Sequence, residues 1–308
     1  MLRQVYAERT PESDLKAYAA LGLIPEGPVS FEVRTSAGIY VPEQEQLYVI
    51  TDQPEGDGTA QTLLAHAYAH ALQDQHFDLE AMDDRTSTID EELAAEALIA
   101  GDATLATALC RHRDLASANW KGLTALIVEA ERPQYSGQLE ASEAWQHLKG
   151  FPNREGRTFV RELFEAGGWD AVNRAYTDPP RSTEQILHPV RYIEQRDEPT
   201  QVTVPDVGWV LGEGWAEALE ETLGELVVGL VLNEALPEQE AWQAAAGWDG
   251  DTFTVWERET GRQVVVWRTV WDSSADAREY ENGLVSFVQQ LYFPVRPIRP
   301  PRGVVGHW

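Results

Sequence analysis

The stretch LLAHAYAHALQDQHFDLE, residues 63–80, decides how the rest of the chain is read. Within it His66 and His70 stand four positions apart, with Ala67 directly after the first. Residues 59–75 contain no Gly or Pro and are rich in Ala, Leu and Gln, all of which favour helix. Leu63, His66, Ala67 and His70 then share one helical face, which Leu64 and Ala71 widen. Two imidazoles one turn apart can ligate one zinc ion. In the pattern H-E-x-x-H, the glutamate beside the first histidine is the general base of a zinc hydrolase. Here the ligand spacing is kept, but Ala67 holds the base position, and a methyl group takes no proton from a metal-bound water. A coincidental pair of core or surface histidines is the plainer alternative.

Three further stretches bear on that choice. EALIAGDAT covers residues 96–104, GWDAVNRAYTDPPRSTEQILHP covers 168–189, and AGIYVPEQEQLYVIT covers 37–51. Together with the histidine stretch they resemble a bacterial and archaeal family of gluzincin-type zinc metallopeptidase-like proteins. Its core reads approximately L-A-H-E-x-x-H-A-L-Q-D-Q-H-F-D-L-E, with A-L-x-E-G-D-A further on. The resemblance spans most of residues 15–290, and the histidine helix and STEQILHP are its most specific parts. It implies an α+β fold, a mostly helical zincin-like core with a small β-sheet. It also implies a zinc cofactor, peptide-bond hydrolysis, and a peptide or protein as substrate or ligand.

This chain departs from the family at the two glutamates that the chemistry needs. Ala67 stands for the base, and Ala100 for the glutamate of E-G-D-A, which by the resemblance is the third zinc ligand on a second helix. A catalytic zinc takes three protein ligands and a water, so two histidines leave it under-coordinated. Zinc is therefore expected to bind weakly or not at all, and the chain to be inactive or nearly so. Three origins stay open: deliberate glutamate-to-alanine changes in an active parent, a natural pseudopeptidase that binds peptide or protein in the same cleft, and a structural protein whose cleft is filled.

Substitute ligands are poor. His76 follows His70 by six positions, the metzincin histidine spacing, but Gln73 stands where that pattern needs a glycine to turn the chain back. Glu96 shares the Ala100 face, one turn or about 6 Å away along the axis, while ligand distances tolerate only about 0.2 Å. Asp102 points away from that face in a regular helix. Within STEQILHP, the resemblance makes His188 the candidate donor to an oxyanion, with Glu184 and Tyr192 near it in sequence as cleft-lining candidates beside His76 and Asp102. Local structure is the alternative: Ser182 and Thr183 can cap a short helix that His188-Pro189 ends.

Composition bounds the partners. The 308 residues carry a formal charge of −27, and Lys16, Lys121 and Lys149 are the lysines among 24 basic residues. Such a surface repels phosphate backbones and anionic lipid, so no nucleic acid is expected. Cys110 is alone, which excludes an internal disulfide and a multi-cysteine zinc site. No transmembrane segment is expected. Arg3 and the lack of an apolar stretch behind it argue against a signal peptide. A soluble protein is expected, with the compartment open, an extracytoplasmic one with a trimmed leader included, and the oligomeric state open.

Along the chain the patterns predict a helix over 11–23 capped by Thr10, extended segments over 29–40 and 46–51, and the histidine helix. A second long helix is expected over 90–111, with further helices over 115–131, 142–148, 158–166 and 169–177. Residues 200–210 read as extended, 213–236 as one long helix, 252–271 as a β-hairpin around Gly261, and 272–291 as a helix capped by Asp272 or Ser273. Trp248, Trp256, Trp267 and Trp271 are expected to fill a core between hairpin and helix. The division is a zincin-like domain over 1–195, a smaller C-terminal hairpin-and-helix α/β region over 196–293, and a Pro/Arg-rich tail over 294–308.

Overall fold

A computed structural model describes residues 12–24, 31–32, 38–49, 58–111, 119–131, 134–135 and 143–291. The fold is α+β and mostly helical. The chain divides into two compact units, residues 27–197 and residues 13–26 with 198 onward. The opening helix, α1 (Glu12–Ala20), lies almost wholly in the second unit, where Lys16 pairs with Glu257 at 3.0 Å. No local pattern announces that placement, since a capped amphipathic helix does not record its neighbour. The cap expected at Thr10 and the tail over 294–308 lie outside the described residues.

The first unit holds the short strands β1 (Phe31–Glu32), β2 (Gly38–Val41) and β3 (Gln46–Val49). Its helices are α2 (Gly58–Phe77), α3 (Leu79–Asp83), α4 (Ile89–Arg111) and α5 (Trp120–Glu131). Strand β4 (Gln134–Tyr135) and helix α6 (Glu143–Thr177) follow, then the short α7 (Thr183–Leu187) and α8 (Val190–Ile193). Strands β2 and β3 form an antiparallel hairpin whose turn is closed by Glu45 in the left-handed region, φ 50°. The hairpin sits against α2, and Tyr40 Oη donates to Asp74 Oδ2 at 2.5 Å.

Helix α4 is the centre of this unit. Its 18-residue apolar window has mean hydropathy 1.4, enough by length and composition to cross a membrane, yet 72% of it is buried inside the protein. That is the setting of a core helix. Its contact with α6 is made backbone to backbone: a Cβ on Gly101 would lie 2.2 Å from the Gly156 carbonyl oxygen, and one on Gly156 would lie 2.0 Å from that of Ala97. Only glycine fits at this crossing.

The sequence predicts three separate helices where α6 runs from Glu143 to Thr177, with non-helical backbone at Gly167 and Gly168. The kink at the glycines matches the expected break, but the break near Pro152 does not occur. A proline removes one backbone bond, and here Arg154 folds back over Gly150 and donates to the His147 carbonyl at 2.9 Å. The side chain takes over a carbonyl near the disturbed turn.

The second unit contains α9 (Gly208–Leu211), β5 (Trp215–Glu221), α10 (Gly224–Asn233), α11 (Glu238–Ala245), β6 (Trp248–Arg258), β7 (Gln263–Trp271) and α12 (Ser274–Leu291). The sheet order is β5-β6-β7, all antiparallel. The single helix expected over 213–236 is thus replaced by a strand and a shorter helix. WAEALEE has good helix formers, but pairing with β6 outweighs that weak preference, and Gly224 at φ 79° separates the two elements. Residues 200–203 form no strand, although Thr200 N donates to the Asp249 carbonyl and Thr252 Oγ1 to that of Val202. Ser273 caps α12, accepting from Ala275 and Asp276 N–H.

Trp248, Val228, Leu232, Ala241, Ala245 and Tyr280 form this unit's core, with Trp267 and Trp271 packed against it. Buried Asp251 ties the layers: its carboxylate accepts from the Leu223 and Gly224 N–H groups at the start of α10 and from the indoles of Trp248 and Trp267 at 3.0 and 2.9 Å.

Gly156→Ala should cost about 2–3 kcal/mol, as overpacking against backbone does. A urea titration reads this as a lower midpoint. An unchanged midpoint would mean that α4 and α6 do not touch at these glycines.

Candidate metal centre

Helix α2 extends from Gly58 to Phe77, two residues beyond the expected end, so nothing turns back after Gln73. His76 is exposed in the last turn, its ring edge-on to Phe77. Six residues of helix set it about 9 Å along the axis from His70, so it does not line a cleft with the pair.

His66 and His70 do come together. Their Nε2 atoms are 3.3 Å apart and the rings meet edge to face. His66 is 2% exposed, while His70 is half-buried. Two zinc–nitrogen bonds of about 2.0–2.1 Å at the tetrahedral angle place their nitrogens about 3.3–3.4 Å apart. The spacing therefore fits one shared ion.

The other ring nitrogens are set from outside the motif. Gln73 Nε2 donates to Asp102 Oδ2 at 2.7 Å and to the Ile99 carbonyl at 3.0 Å, with the Tyr176 hydroxyl 3.0 Å away. The carboxylate fixes the amide's orientation, so its oxygen faces His70 Nδ1 at 2.9 Å. An amide oxygen only accepts, so His70 Nδ1 carries the hydrogen and Nε2 the lone pair. Thr107 Oγ1 lies 3.5 Å from His66 Nδ1 and spends its own hydrogen on the Ala103 carbonyl at 2.7 Å. Toward His66 it can only accept, so a hydrogen on Nδ1 there would suit it. With both hydrogens on Nδ1, the two Nε2 lone pairs would face each other. A cation between them would remove that repulsion.

The same contacts give the register of α2 on α4. His66 lies level with Thr107, and Gln73 with Ile99 and Asp102, so the helices run antiparallel. Ala100, 9% exposed, is on the stretch of α4 that faces α2, as is Ala103. Ala67 is 5% exposed, and a Cβ on Gly38 of β2 would approach its methyl to 3.6 Å. Glu96 is exposed, one turn before Ala100.

Asp102 differs from its expected place along a cleft. It is buried and accepts from Gln73 and from the Tyr176 hydroxyl at 2.7 Å, joining α2, α4 and α6. Tyr176 in turn stacks on Phe77, with centroids 3.8 Å apart. Burial raises the Asp102 carboxyl above its ordinary range, and the two hydrogen bonds oppose the shift. Burial first, then Asp102's charge, pushes the Tyr176 phenol well up. Sequence reasoning misses Gln73 and Tyr176, since the spacing of Gln73 from His70 does not show which partner its amide meets.

STEQILHP is a capped turn pinned to the start of α4. Ser182 Oγ accepts from Gln185 N at 3.2 Å, and Thr183 donates twice to Asp90 Oδ1, at 2.8 Å and 2.6 Å. Asp90 precedes Asp102 by twelve residues, about 18 Å of helix. Glu184 is buried with Arg191 at 3.1 Å, and His188 closes α7 as its C-cap. Tyr192 donates to the Asp178 carbonyl, with its ring against Phe159 and under the Arg196 guanidinium. Glu184, His188 and Tyr192, expected beside a cleft, take part in local capping and pairing. A shallow hollow of about 290 Å³, lined by Arg161, Glu165, Val190 and Glu194, likewise excludes the histidines from its walls.

Residues 213–296 match the model of a domain of unknown function, DUF8575. They belong to the second unit, and the histidine pair to the first. No curated protein and no solved structure matches the chain.

Asp102 accepts both its bonds on one oxygen, so Asp102→Asn keeps an acceptor for each and removes the buried charge. The native carboxyl holds its proton to higher pH than the unfolded chain. Parent stability should therefore fall as pH rises from about 4 through the raised native value. The Asn variant should lack this slope and match or exceed the parent at pH 7, while Asp102→Ala loses about 2 kcal/mol. Denaturation at several pH values checks this; equal losses for both variants would show that the charge itself is needed.

Proposed function

We propose that this chain is a zinc metallopeptidase-like protein, of the gluzincin type, that keeps two histidine ligands and has lost the groups for catalysis. The observation that supports it most is the 3.3 Å approach of the two Nε2 atoms, with each Nδ1 turned to an acceptor. Coincidental histidines need neither. Zinc, when bound at three such ligands, supplies a polarised water. The residues present fit two of the ligands only, because Ala100 offers none and Ala67 no base, so no hydrolytic step follows from these side chains. What they do is hold a cation weakly and keep the imidazoles in ligating tautomers.

A peptide- or protein-binding role is the second reading. Tyr68 and Leu72 favour it: both are exposed, four positions apart on the outer side of the histidine helix. Apolar side chains one turn apart can anchor an extended or helical peptide.

Metal analysis after dialysis without chelator should find well under one zinc per chain. Calorimetric titration should show weak binding that Ala100→Glu strengthens and His66→Ala abolishes. With Ala67→Glu and Ala100→Glu together, the melting temperature should rise with added zinc, as binding to the native state requires. One tightly held zinc in the parent, or a double variant indifferent to zinc, would refute the reading.

Hydrolysis of casein or a mixed peptide library should be undetectable for the parent, since a positioned base alone contributes about 10²- to 10⁴-fold. Chelator-sensitive cleavage above a His66→Ala control would overturn this.

A further inference from the structure

The second unit carries an aromatic and acidic surface that its own described residues leave uncovered. Trp209 is 83% exposed and Val210 64%, side by side on α9. Helix α9 rests on the sheet, where a Cβ on Gly208 would meet the Trp256 ring at 3.2 Å, so Trp209 is presented by a packed element. The chain then enters β5, an edge strand of the sheet. Asp206, Glu213, Glu217 and Glu220 are all exposed along this stretch. Partial burial, then the charges of Glu220 and Asp206, raise the Glu217 carboxyl above its ordinary range. Arg258 is the cation beside them, and its guanidinium donates to the Glu213 carbonyl at 3.2 Å.

The same unit ends in a segment of opposite character. Residues 294–302 read PVRPIRPPR, and residues 292–308 carry Arg296, Arg299 and Arg302 with no Asp or Glu. Pro294, Pro297 and Pro300 are three apart, the period of a polyproline II helix. Surfaces that bind such helices pair an exposed aromatic ring with carboxylates that meet flanking arginines. From Leu291, where α12 ends, the eleven residues to Arg302 span up to about 36 Å when extended. Two residues join this segment to α12, so it meets the unit's own surface as part of the same molecule.

We propose that the surface formed by Trp209, Val210 and the carboxylates of residues 206–220 docks the proline- and arginine-rich segment 294–302 of the same chain. Proline rings would cover the Trp209 indole, and the arginines would face Glu213, Glu217 and Glu220.

Hydroxyl-radical footprinting of the full chain, read by mass spectrometry, tests this at the side chain itself. A segment docked about 80% of the time slows Trp209 oxidation about fivefold. Replacing Arg296, Arg299 and Arg302 together by Glu should restore the fast rate. Glu217→Lys with Glu220→Lys should do the same from the other side. Trp169, 40% exposed in the first unit, serves as the internal standard and should not change. Equal Trp209 rates in parent and arginine variant would overturn the proposal. So would protection that vanishes on dilution, which would assign the docking to a second copy.

Discussion

Backbone touching backbone at Gly101 and Gly156 sets the geometry of the first unit. Because neither residue has a side chain there, α4 and α6 approach more closely than ordinary ridge-and-groove packing allows. The fixed α4 then works as a ruler. Asp90 at its start holds the capped turn of α7, Asp102 in its middle meets Gln73 and Tyr176, and Thr107 faces His66. Each of these is a hydrogen bond with a narrow distance range, so a shift of α4 by one turn would break all of them at once.

The polar groups inside this frame are few and consequential. A carboxylate buried at Asp102 orients one amide, and that amide settles the tautomer of one imidazole. In a region of low dielectric such orientation is strong, because a wrongly turned amide would set oxygen against oxygen. Under the proposed reading the histidines face a position for a cation, and the alanines at 67 and 100 offer it no ligand.

The second unit uses the same device in another setting. Asp251 gathers two backbone N–H groups and two indoles, so that helix start, sheet and tryptophan core share one carboxylate. Its outer surface is governed differently, among the described residues, by exposed charges and the uncovered Trp209 indole.

Much of this is legible in the chain. The histidine helix, expected over 59–75, runs from Gly58 to Phe77, and the helix expected over 90–111 begins one residue earlier. The hairpin around Gly261 and the Ser182 and Ser273 caps form where expected, because each depends on residues within a few positions of one another. That residues 67 and 100 are alanines, with no base or ligand to offer, needs only the order of residues. The tertiary structure alone decides that WAEALEE is a strand, that Pro152 lies within a helix, and that Glu12–Ala20 serves the distal part of the chain. It alone assigns Gln73 to His70 and moves Glu184, His188 and Tyr192 into local roles. Where a contact decides the outcome, the partner is often remote in sequence: β6 for β5, α4 for Gln73, Asp90 for Thr183. Local preferences of a few tenths of a kcal/mol per residue yield to such contacts, and the chain order does not record which remote group will arrive.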